Sequence, residues 1–319
     1  MLKHPRIAIV GSSGQLARSL LDAAHRREIT AIARGRPQAD LQDGDSLAAL
    51  IDAIEPDIVV NAGGMTAVDA AESDRETAFA LNSQGARNIA IACASAGVPL
   101  VHVSTDYVFN GSATCPLTED TAVAPLNVYG ASKAAGEDAV RECQPHHLIL
   151  RTAWVHSEHA HNFLKTMLRL CETRREVRVV ADQHGSPTYA GHLADAILDL
   201  TERLIQSPSD QAAWGTYHVS GAGATTWHGF AAEIFRHAPL LGFVPPALHA
   251  ISTSEYPLPA RRPTYSVLDN SRLKQTFGIA LPSWQDGVSA CIWRIAAERA
   301  GVAVETTAPV RRQVAGASS

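Results

Sequence analysis

The residues best suited to chemistry lie in Tyr129-Gly130-Ala131-Ser132-Lys133, a tyrosine followed four positions later by a lysine. Residues 127–141, entered through Pro125, have the pattern of a helix, and positions i and i+4 share one helix face. The lysine ammonium can therefore lie beside the phenol and favour its ionised form, which suits proton transfer near neutral pH. Taken alone, this spacing is also typical of a surface pair.

A second feature supports the chemical interpretation of this helix. Ser104-Thr105-Asp106 follows a predicted strand over residues 100–104. At the carboxyl end of a strand, a hydroxyl can donate a hydrogen bond to the same substrate carbonyl oxygen that the tyrosine protonates. The two features together predict acid–base chemistry on a carbonyl group.

A glycine turn precedes both features and could hold a cofactor. Gly11-x-x-Gly14-x-x-Ala17 follows a short apolar run over residues 7–10 and opens a predicted helix. Small residues there let a dinucleotide pyrophosphate approach backbone N–H groups at the helix N-terminus. The spacing differs from G-x-G-x-x-G, and a tight turn is the alternative interpretation of an isolated G-x-x-G.

The end of the second predicted strand bears on the choice of cofactor. An acidic residue at this position would bind the ribose 2′-hydroxyl of NAD, but Ala33-Arg34-Gly35-Arg36 offers two guanidinium groups. These groups suit a 2′-phosphate, so we expect NADPH, with NADH as the alternative. Otherwise Arg34 and Arg36 are solvated loop charges.

The elements that must position these residues alternate regularly between strand and helix. Apolar runs predict strands, 3.6-residue periodicity predicts helices, and Asp45 is the expected cap of the second helix. This alternation predicts an α/β fold with a doubly wound parallel sheet of Rossmann type. Strands are expected at residues 7–10, 29–33, 57–62, 100–104 and 147–155, and helices at 16–24, 46–54, 82–96 and 127–141.

Beyond about residue 160 the alternation weakens, although helices are still indicated at 162–171, 190–204 and near 227–237. Strands are expected near 177–181 and 216–220, and prolines are frequent from 239 to 263. We expect a dinucleotide-binding domain with the catalytic residues over 1–155 and a smaller, partly irregular substrate-binding lobe over 156–298. Some of the lobe's segments should return to the sheet, and a disordered tail is expected over 299–319.

Composition excludes several functional classes. The 319 residues are 46% hydrophobic and carry a formal charge of -5 without long blocks of like charge, so nucleic acid is not expected as a partner. Five scattered cysteines without a C-x-x-C pair suit a reducing compartment, and no apolar run is long enough to span a membrane. We therefore expect a cytoplasmic protein.

Two further segments are interpreted as structural, not functional. His156, His159 and His161 fall in a polar stretch without the spacing of a known zinc motif, so no metal is predicted there. The leucine-rich helix over 193–204 is expected to pack into the core.

The motifs, taken in order, resemble those of the extended short-chain dehydrogenase/reductases, and most closely those of the dTDP-4-dehydrorhamnose reductase family. The resemblance covers roughly residues 6–290. It rests on GSSGQLA (11–17), AVDAAESD (67–74), STDYVF (104–109), APLNVYGASKAAGE (124–137), LILRTAWV (148–155), VVADQHGSPTYA (179–190), TTWHGFA (225–231) and RRPTYSVLDNSRL (261–273). It implies NADPH-dependent reduction of the 4-keto group of a nucleotide-linked 6-deoxysugar.

The resemblance also implies a role for each matching residue. Thr105, Tyr129 and Lys133 become the catalytic set, and Asp106 and Trp154 become substrate contacts together with Thr105. The triplet Thr105-Asp106-Tyr107 lacks the glutamate with which related dehydratases eliminate water, so plain reduction is implied. The implied cofactor residues are Gly11, Gly14, Gln15, Leu16, Asp40, Leu41, Ala62 and Gly63, with Tyr129 and Lys133.

Some positions depart from the family pattern. Met65 replaces an aromatic residue or histidine, and His156 replaces a tyrosine, which leaves a different nucleotide sugar open as the substrate. Ser19 stands where some members carry a glutamate linked to a metal-bridged dimer, so a metal and a homodimer both stay open. A cofactor-binding regulatory subunit, like the β subunit of methionine adenosyltransferase, is the alternative from another functional class.

Overall fold

The computed structural model describes residues 5–206 and 213–301. The expected tail over 299–319 therefore lies almost wholly outside the described residues. Within them the strands are β1 (Arg6–Val10), β2 (Thr30–Arg34), β3 (Ile58–Asn61), β4 (Leu100–Thr105), β5 (His147–Thr152), β6 (Val155–His156), β7 (Glu176–Val180), β8 (His184–Gly185), β9 (Thr188–Tyr189), β10 (Gly215–His218), β11 (Thr225–Thr226) and β12 (Ala247–Ile251).

The helices of the same residues flank these strands. They are α1 (Gln15–Arg26), α2 (Gly44–Ile54), α3 (Val68–Ser73), α4 (Arg75–Phe79), α5 (Gly85–Ser95), α6 (Val128–Cys143), α7 (Phe163–Thr173), α8 (Ala190–Gln206), α9 (Trp227–His237), α10 (Ser271–Phe277) and α11 (Trp284–Arg299). A π-helical turn over Ala80–Gln84 joins α4 to α5, and a 3-10 turn over Asp106–Val108 follows β4. Two more 3-10 turns span Ala238–Leu241 and Thr253–Glu255.

A parallel six-stranded sheet organises the molecule, which confirms the predicted fold class. Its strand order is β10-β5-β4-β3-β1-β2, and every neighbouring pair is parallel. The chain moves outward from β1 to β2 and then returns to the other side of β1 with β3. This reversal creates a switch point between β1 and β3, where loops leave in opposite directions and open a crevice.

Alternating side chains of the central strand enter two different cores. Ile7 and Ile9 pack on one face with α1 and α8, whereas Ala8 and Val10 pack on the other face with α2 and α5. The two-residue period of a strand makes this division automatic. The predicted core helix over 193–204 is confirmed, since Leu193, Ile197 and Leu200 are fully buried in the first of these cores.

Residues after 155 add one strand and one helix to the sheet domain, and they also form a separate apolar cluster. Strand β10 extends the sheet beside β5, and α8 packs along α1. Elements α7, α9 and α11, with the parallel pair β7 and β12, surround the separate cluster, which includes Leu164, Phe230, Ile234 and Ile292. We refer to this second unit as the lobe.

Several predicted boundaries were wrong for identifiable reasons. The cap of α2 is Asp43, not Asp45, because the Asp43 carboxylate accepts hydrogen bonds from the N–H groups of Asp45 and Ser46. The strand predicted over 147–155 ends at Thr152, because Trp154 adopts a left-handed φ of 47°. The helix α11 was not predicted, since the frequent prolines before it obscured the return of regular structure.

Helix α6 lies unusually close to its neighbours. A Cβ atom on Gly130 would lie 2.1 Å from the carbonyl oxygen of Tyr107, and one on Gly136 would lie 2.1 Å from that of Asn82. Backbone atoms cannot move aside as a flexible side chain could. Glycine at these two positions therefore sets how closely α6 approaches the end of β4 and the π-helical turn.

This close approach generates the first prediction. Gly136→Ala should lower the free energy of unfolding by about 2–3 kcal/mol, because the new methyl group overlaps backbone. Gly44→Ala is the matched control, since a Cβ there meets nothing within 4 Å. Urea unfolding of both variants measures the difference, and equal stability of the two would contradict the packing argument.

Candidate active site

One open cleft of about 850 Å³ runs along the carboxyl ends of the sheet strands. It begins at the switch point between β1 and β3, passes β4 and β5, and ends against the starts of α7 and α9. Most of the predicted site residues line it. They are Gly11, Gly14, Gln15, Leu16, Asp40, Leu41, Ala62, Gly63, Thr105, Asp106, Tyr129, Lys133 and Trp154.

The glycine turn at the β1 end of the cleft fits a dinucleotide. Gly11 has a φ of 112°, and a side chain there would meet the Ala62 backbone at 3.4 Å. Gly14 caps α1 without any side-chain hydrogen bond, whereas side chains cap α2, α6 and α7. The first N–H groups of α1 thus lack a capping side chain at the edge of the cleft, which is the arrangement that binds a phosphate.

The two predicted guanidinium groups separate in the structure. Arg34 lies outside the cleft lining, and its Nη1 donates to the carbonyl oxygen of Ala33 at 3.0 Å. Arg36 lines the cleft next to Asp40 and Leu41. Of the two arginines, Arg36 is therefore the one placed to meet a cofactor ribose.

The side chain of Gln15 links the cofactor end to the lobe. Its Nε2 donates to the Val155 carbonyl oxygen at 3.4 Å, and its Oε1 accepts from the Ser157 hydroxyl at 3.0 Å. This predicted cofactor residue thus also fixes the position of the segment after β6.

The three histidines of the polar stretch do not converge. His156 is fully buried against Tyr189 and Phe230, while His159 pairs with Asp22 at 2.9 Å. Glu158, His159 and Asp22 do approach within 4.8 Å of one another. Arg294 already supplies the positive charge, with Nε 2.7 Å from Glu158 and Nη2 3.3 Å from Asp22, so this cluster is an ion-pair network.

The three predicted catalytic residues come together where β4 meets α6. Thr105 ends the strand, Tyr129 lies in the first turn of the helix, and Lys133 lies one turn later. The Asn127 side chain caps the helix by accepting from the Gly130 N–H at 2.7 Å, which sets where its first turn begins. The fold therefore brings together the three side chains that the family resemblance implies to be catalytic.

Burial governs the ionisation of this set. Burial raises the pKa of Tyr129 to about 12, a hydrogen bond with Thr105 opposes the shift, and the Asp106 charge adds to it. The pKa of Lys133 falls to about 8, again through burial, with Glu137 opposing. Lys133 Nζ donates to the Val103 carbonyl oxygen at 2.5 Å. The expected effect of the lysine on the phenol is therefore not seen, since burial and Thr105 act on Tyr129 instead.

An aromatic wall closes the lobe end of the cleft. Trp154 stacks on Trp227 with ring centroids 3.6 Å apart and planes 8° from parallel, and Phe163 packs against Trp227 at 4.8 Å. Trp227 belongs to the motif TTWHGFA, from which no role for this residue was predicted. Its position just after the helix cap Thr226, whose hydroxyl accepts from the Gly229 N–H, was the available signal.

Asn82 is a second residue that sequence analysis missed. Its buried carboxamide accepts from the Met65 N–H at 2.8 Å and donates to the Met65 carbonyl oxygen and to the Ser132 hydroxyl, both at 3.0 Å. It thereby fastens the loop after β3 to α6. The π-helical turn that aims Asn82 inward leaves no mark on the periodicity, so no sequence signal was available.

Comparisons with known proteins place the chain in a family. The family described as RmlD substrate binding domain matches residues 5–297. The dTDP-4-dehydrorhamnose reductase of Sinorhizobium fredii is 41% identical over 293 residues, which cover 92% of this chain and 98% of that protein. The reductase of the same name from Burkholderia thailandensis is 43% identical over 298 residues, or 90% and 98% of the two chains.

A solved structure gives the same result in three dimensions. The dTDP-4-dehydrorhamnose reductase of Bacillus anthracis, solved in complex with NADP, superposes with a TM-score of 0.84 at 35% identity. The superposition covers 92% of this chain and all of that one, at 100%. Within the described residues, none of the helices is both long and apolar enough to cross a membrane.

Asp106 generates a prediction about stability and pH. Burial raises the pKa of this carboxyl from 3.8 to about 7, although hydrogen bonds from Ser266 and Thr105 oppose the shift. Well below pH 3.8 this carboxyl is neutral in both the folded and the unfolded chain, so its ionisation does not affect stability. As the pH rises, only the unfolded chain ionises freely, so stability is lost progressively until the folded pKa is passed.

The stability that Asp106→Asn gains over the wild type should therefore increase by about 1–3 kcal/mol from pH 5 to pH 8. Denaturant unfolding at both pH values measures the gain. Asp52→Asn, at an exposed position on α2, is the control and should show no such change. A gain for Asp106→Asn that is the same at both pH values would contradict a raised pKa.

Proposed function

Because the chain belongs to the RmlD substrate-binding-domain family, in which its relatives are dTDP-4-dehydrorhamnose reductases, we propose that it reduces the 4-keto group of dTDP-4-dehydrorhamnose with NADPH. The observation that carries the proposal is the meeting of Thr105, Tyr129 and Lys133 at the cleft, next to the uncapped N-terminus of α1. A binding module would need the glycine turn but not an acid beside a strand-end hydroxyl.

The cofactor end of the cleft supports a nicotinamide dinucleotide. Gly11, Gly14 and the first turn of α1 would hold the pyrophosphate, and Asp40 and Leu41 would lie near the adenine. Ala62 and Gly63, which follow β3, would lie near the nicotinamide ribose. NADPH, when bound, supplies a hydride to the substrate carbonyl carbon.

The protein's own side chains would donate the proton to the substrate carbonyl oxygen and hydrogen-bond to that oxygen. Tyr129, whose pKa stands at about 12 in the buried site, is protonated at neutral pH and can donate to the carbonyl oxygen as negative charge develops there. The Thr105 hydroxyl offers a second hydrogen bond to that oxygen. Lys133, one helical turn after Tyr129, would contact the nicotinamide ribose.

The substrate end supports reduction over elimination. Related dehydratases carry a glutamate where this chain has Tyr107, whose hydroxyl is buried and interacts with Arg262. No carboxylate is therefore available at this position to remove a proton beside the carbonyl. Asp106 and Trp154 would contact the sugar, and the lobe over residues 156–298 would hold the nucleotide.

Cofactor choice gives a prediction that uses two neighbouring arginines. NADPH should bind more tightly than NADH, and Arg36→Ala should lower NADPH affinity by about 10- to 100-fold, because it removes a charge-assisted contact with the 2′-phosphate. Arg34→Ala also removes a guanidinium group, but this group bonds to the Ala33 carbonyl oxygen outside the cleft lining. The substitution should therefore change the affinity little. Fluorescence titration of both cofactors measures these values. Equal affinity of the unmodified protein for both cofactors would refute the argument.

The proton donor gives the most direct functional prediction. Tyr129→Phe keeps the ring but deletes the acid, so turnover of dTDP-4-dehydrorhamnose should fall by about two to four powers of ten while NADPH affinity changes little. Thr105→Val should lower turnover less, since the acid remains, whereas Lys133→Met should impair both turnover and cofactor binding. The loss of reduced-nicotinamide absorbance measures turnover. If Tyr129→Phe reduces the sugar at the wild-type rate, the proton comes from elsewhere.

A further inference from the structure

A buried carboxylate lies one helical turn beyond the catalytic lysine. The Glu137 side chain has no solvent exposure, and its two oxygens accept four hydrogen bonds. Oε1 accepts from the Ser104 hydroxyl at 2.6 Å and from Arg151 Nε at 2.9 Å. Oε2 accepts from Nη2 of Arg151 at 2.6 Å and from Nη2 of Arg141 at 2.7 Å.

These bonds join the three elements that carry the proposed site. Ser104 immediately precedes Thr105 at the end of β4, and Arg151 is its register partner on β5. Glu137 itself belongs to α6, the helix of Tyr129 and Lys133. One carboxylate therefore connects the strand that carries the hydroxyl, the strand that leads to the aromatic wall and the helix that carries the acid.

We propose, on the basis of the proposed function, that Glu137 is a positioning residue for carbonyl reduction. Its carboxylate fixes the register of α6 against β4 and β5 and supplies the negative charge that keeps Lys133 protonated in its buried position. No substrate or cofactor needs to touch it, because it acts through Ser104 and Lys133.

Stability alone is a poor explanation for this ion pair. Arg151 is 2% exposed, its Nη1 has no hydrogen-bond partner, and its guanidinium lies over the Phe109 ring at 5.1 Å. Burying two charges costs so much desolvation that an apolar pair of similar size is often at least as stable. An apolar pair cannot orient a hydrogen-bond donor. Glu137 does so, because it fixes both the Ser104 hydroxyl and helix α6.

Of the other ionisable groups on the neighbouring described strands, the histidines are held neutral, and Asp106, just after β4, ionises only as the pH passes its raised pKa of about 7. His102 on β4 is held neutral, because burial and the Lys133 charge keep its pKa well below the ordinary value. Burial also lowers the pKa of His147 on β5, and burial with the Arg151 charge lowers that of His218 on β10 to about 3. Arg141 and Arg151 are cations. Glu137 is the group whose charge raises the pKa of Lys133.

The first experiment is Glu137→Gln, with Glu142→Gln as the matched control on the exposed side of the same helix. Glu137→Gln should lower kcat by about 10- to 100-fold and move the alkaline limb of the kcat/KM profile about one pH unit lower, because the lysine loses its counter-charge. The pH above which NADPH affinity falls should move by the same amount. Glu142→Gln should match the wild type in all three measurements.

A second variant separates positioning from simple neutralisation of Arg151. The double substitution Glu137→Leu with Arg151→Met removes both members of the buried ion pair and leaves no buried guanidinium group unpaired, so the variant should fold and unfold cooperatively. We expect it to keep the lowered kcat and the shifted pH limits. A double variant with wild-type turnover and pH limits would overturn the proposal. If the wild type binds NADPH but reduces no nucleotide sugar, the proposed function fails, and the pH dependence of NADPH affinity in the same variants still decides the role of Glu137.

Discussion

The close contact of helix α6 with the end of β4 and with the π-helical turn is the constraint on which the rest of the site depends. Gly130 and Gly136 allow the helix backbone to pass where any side chain would collide with a carbonyl oxygen. Lys133 then bonds directly to the Val103 carbonyl of the strand. Because the helix cannot shift without breaking these contacts, Tyr129 is held near Thr105 before any ligand arrives, and little reorganisation is left for the reaction.

The same packing buries ionisable groups beside the cleft and shifts their pKa values. Asp106 and Tyr129 have raised pKa values and Lys133 a lowered one, and burial is the largest cause in each case. Each shift favours the neutral form, which suits a site that must hold a proton and then release it. Asp106 shows that this arrangement costs folding stability, as functional sites often do.

Patterns in short stretches of sequence predicted the strands and helices whose formation depends on neighbouring residues. Continuous apolar runs gave the strands β1, β3 and β4, and the strand-end rule placed Thr105 opposite the helix of Tyr129 and Lys133. The features that could not be predicted depend on distant partners. Asn82 is aimed by a π-helical turn, and Trp227 meets Trp154 only after the lobe has packed. Arg34 and Arg36 are equivalent in sequence, and only the fold shows which of them lines the cleft.

We propose that this cleft is where the protein reduces the carbonyl group of a nucleotide-linked sugar. The most direct test uses NADPH with deuterium at both hydrogen positions of the nicotinamide C4, incubated with the purified protein and dTDP-4-dehydrorhamnose. We expect NMR of the product to show a deoxysugar with one deuterium at C4, with a single configuration there because the sheet and the aromatic wall orient the substrate. NADPH binding without any deuterium in the sugar would contradict the account and would favour a regulatory role for the bound cofactor.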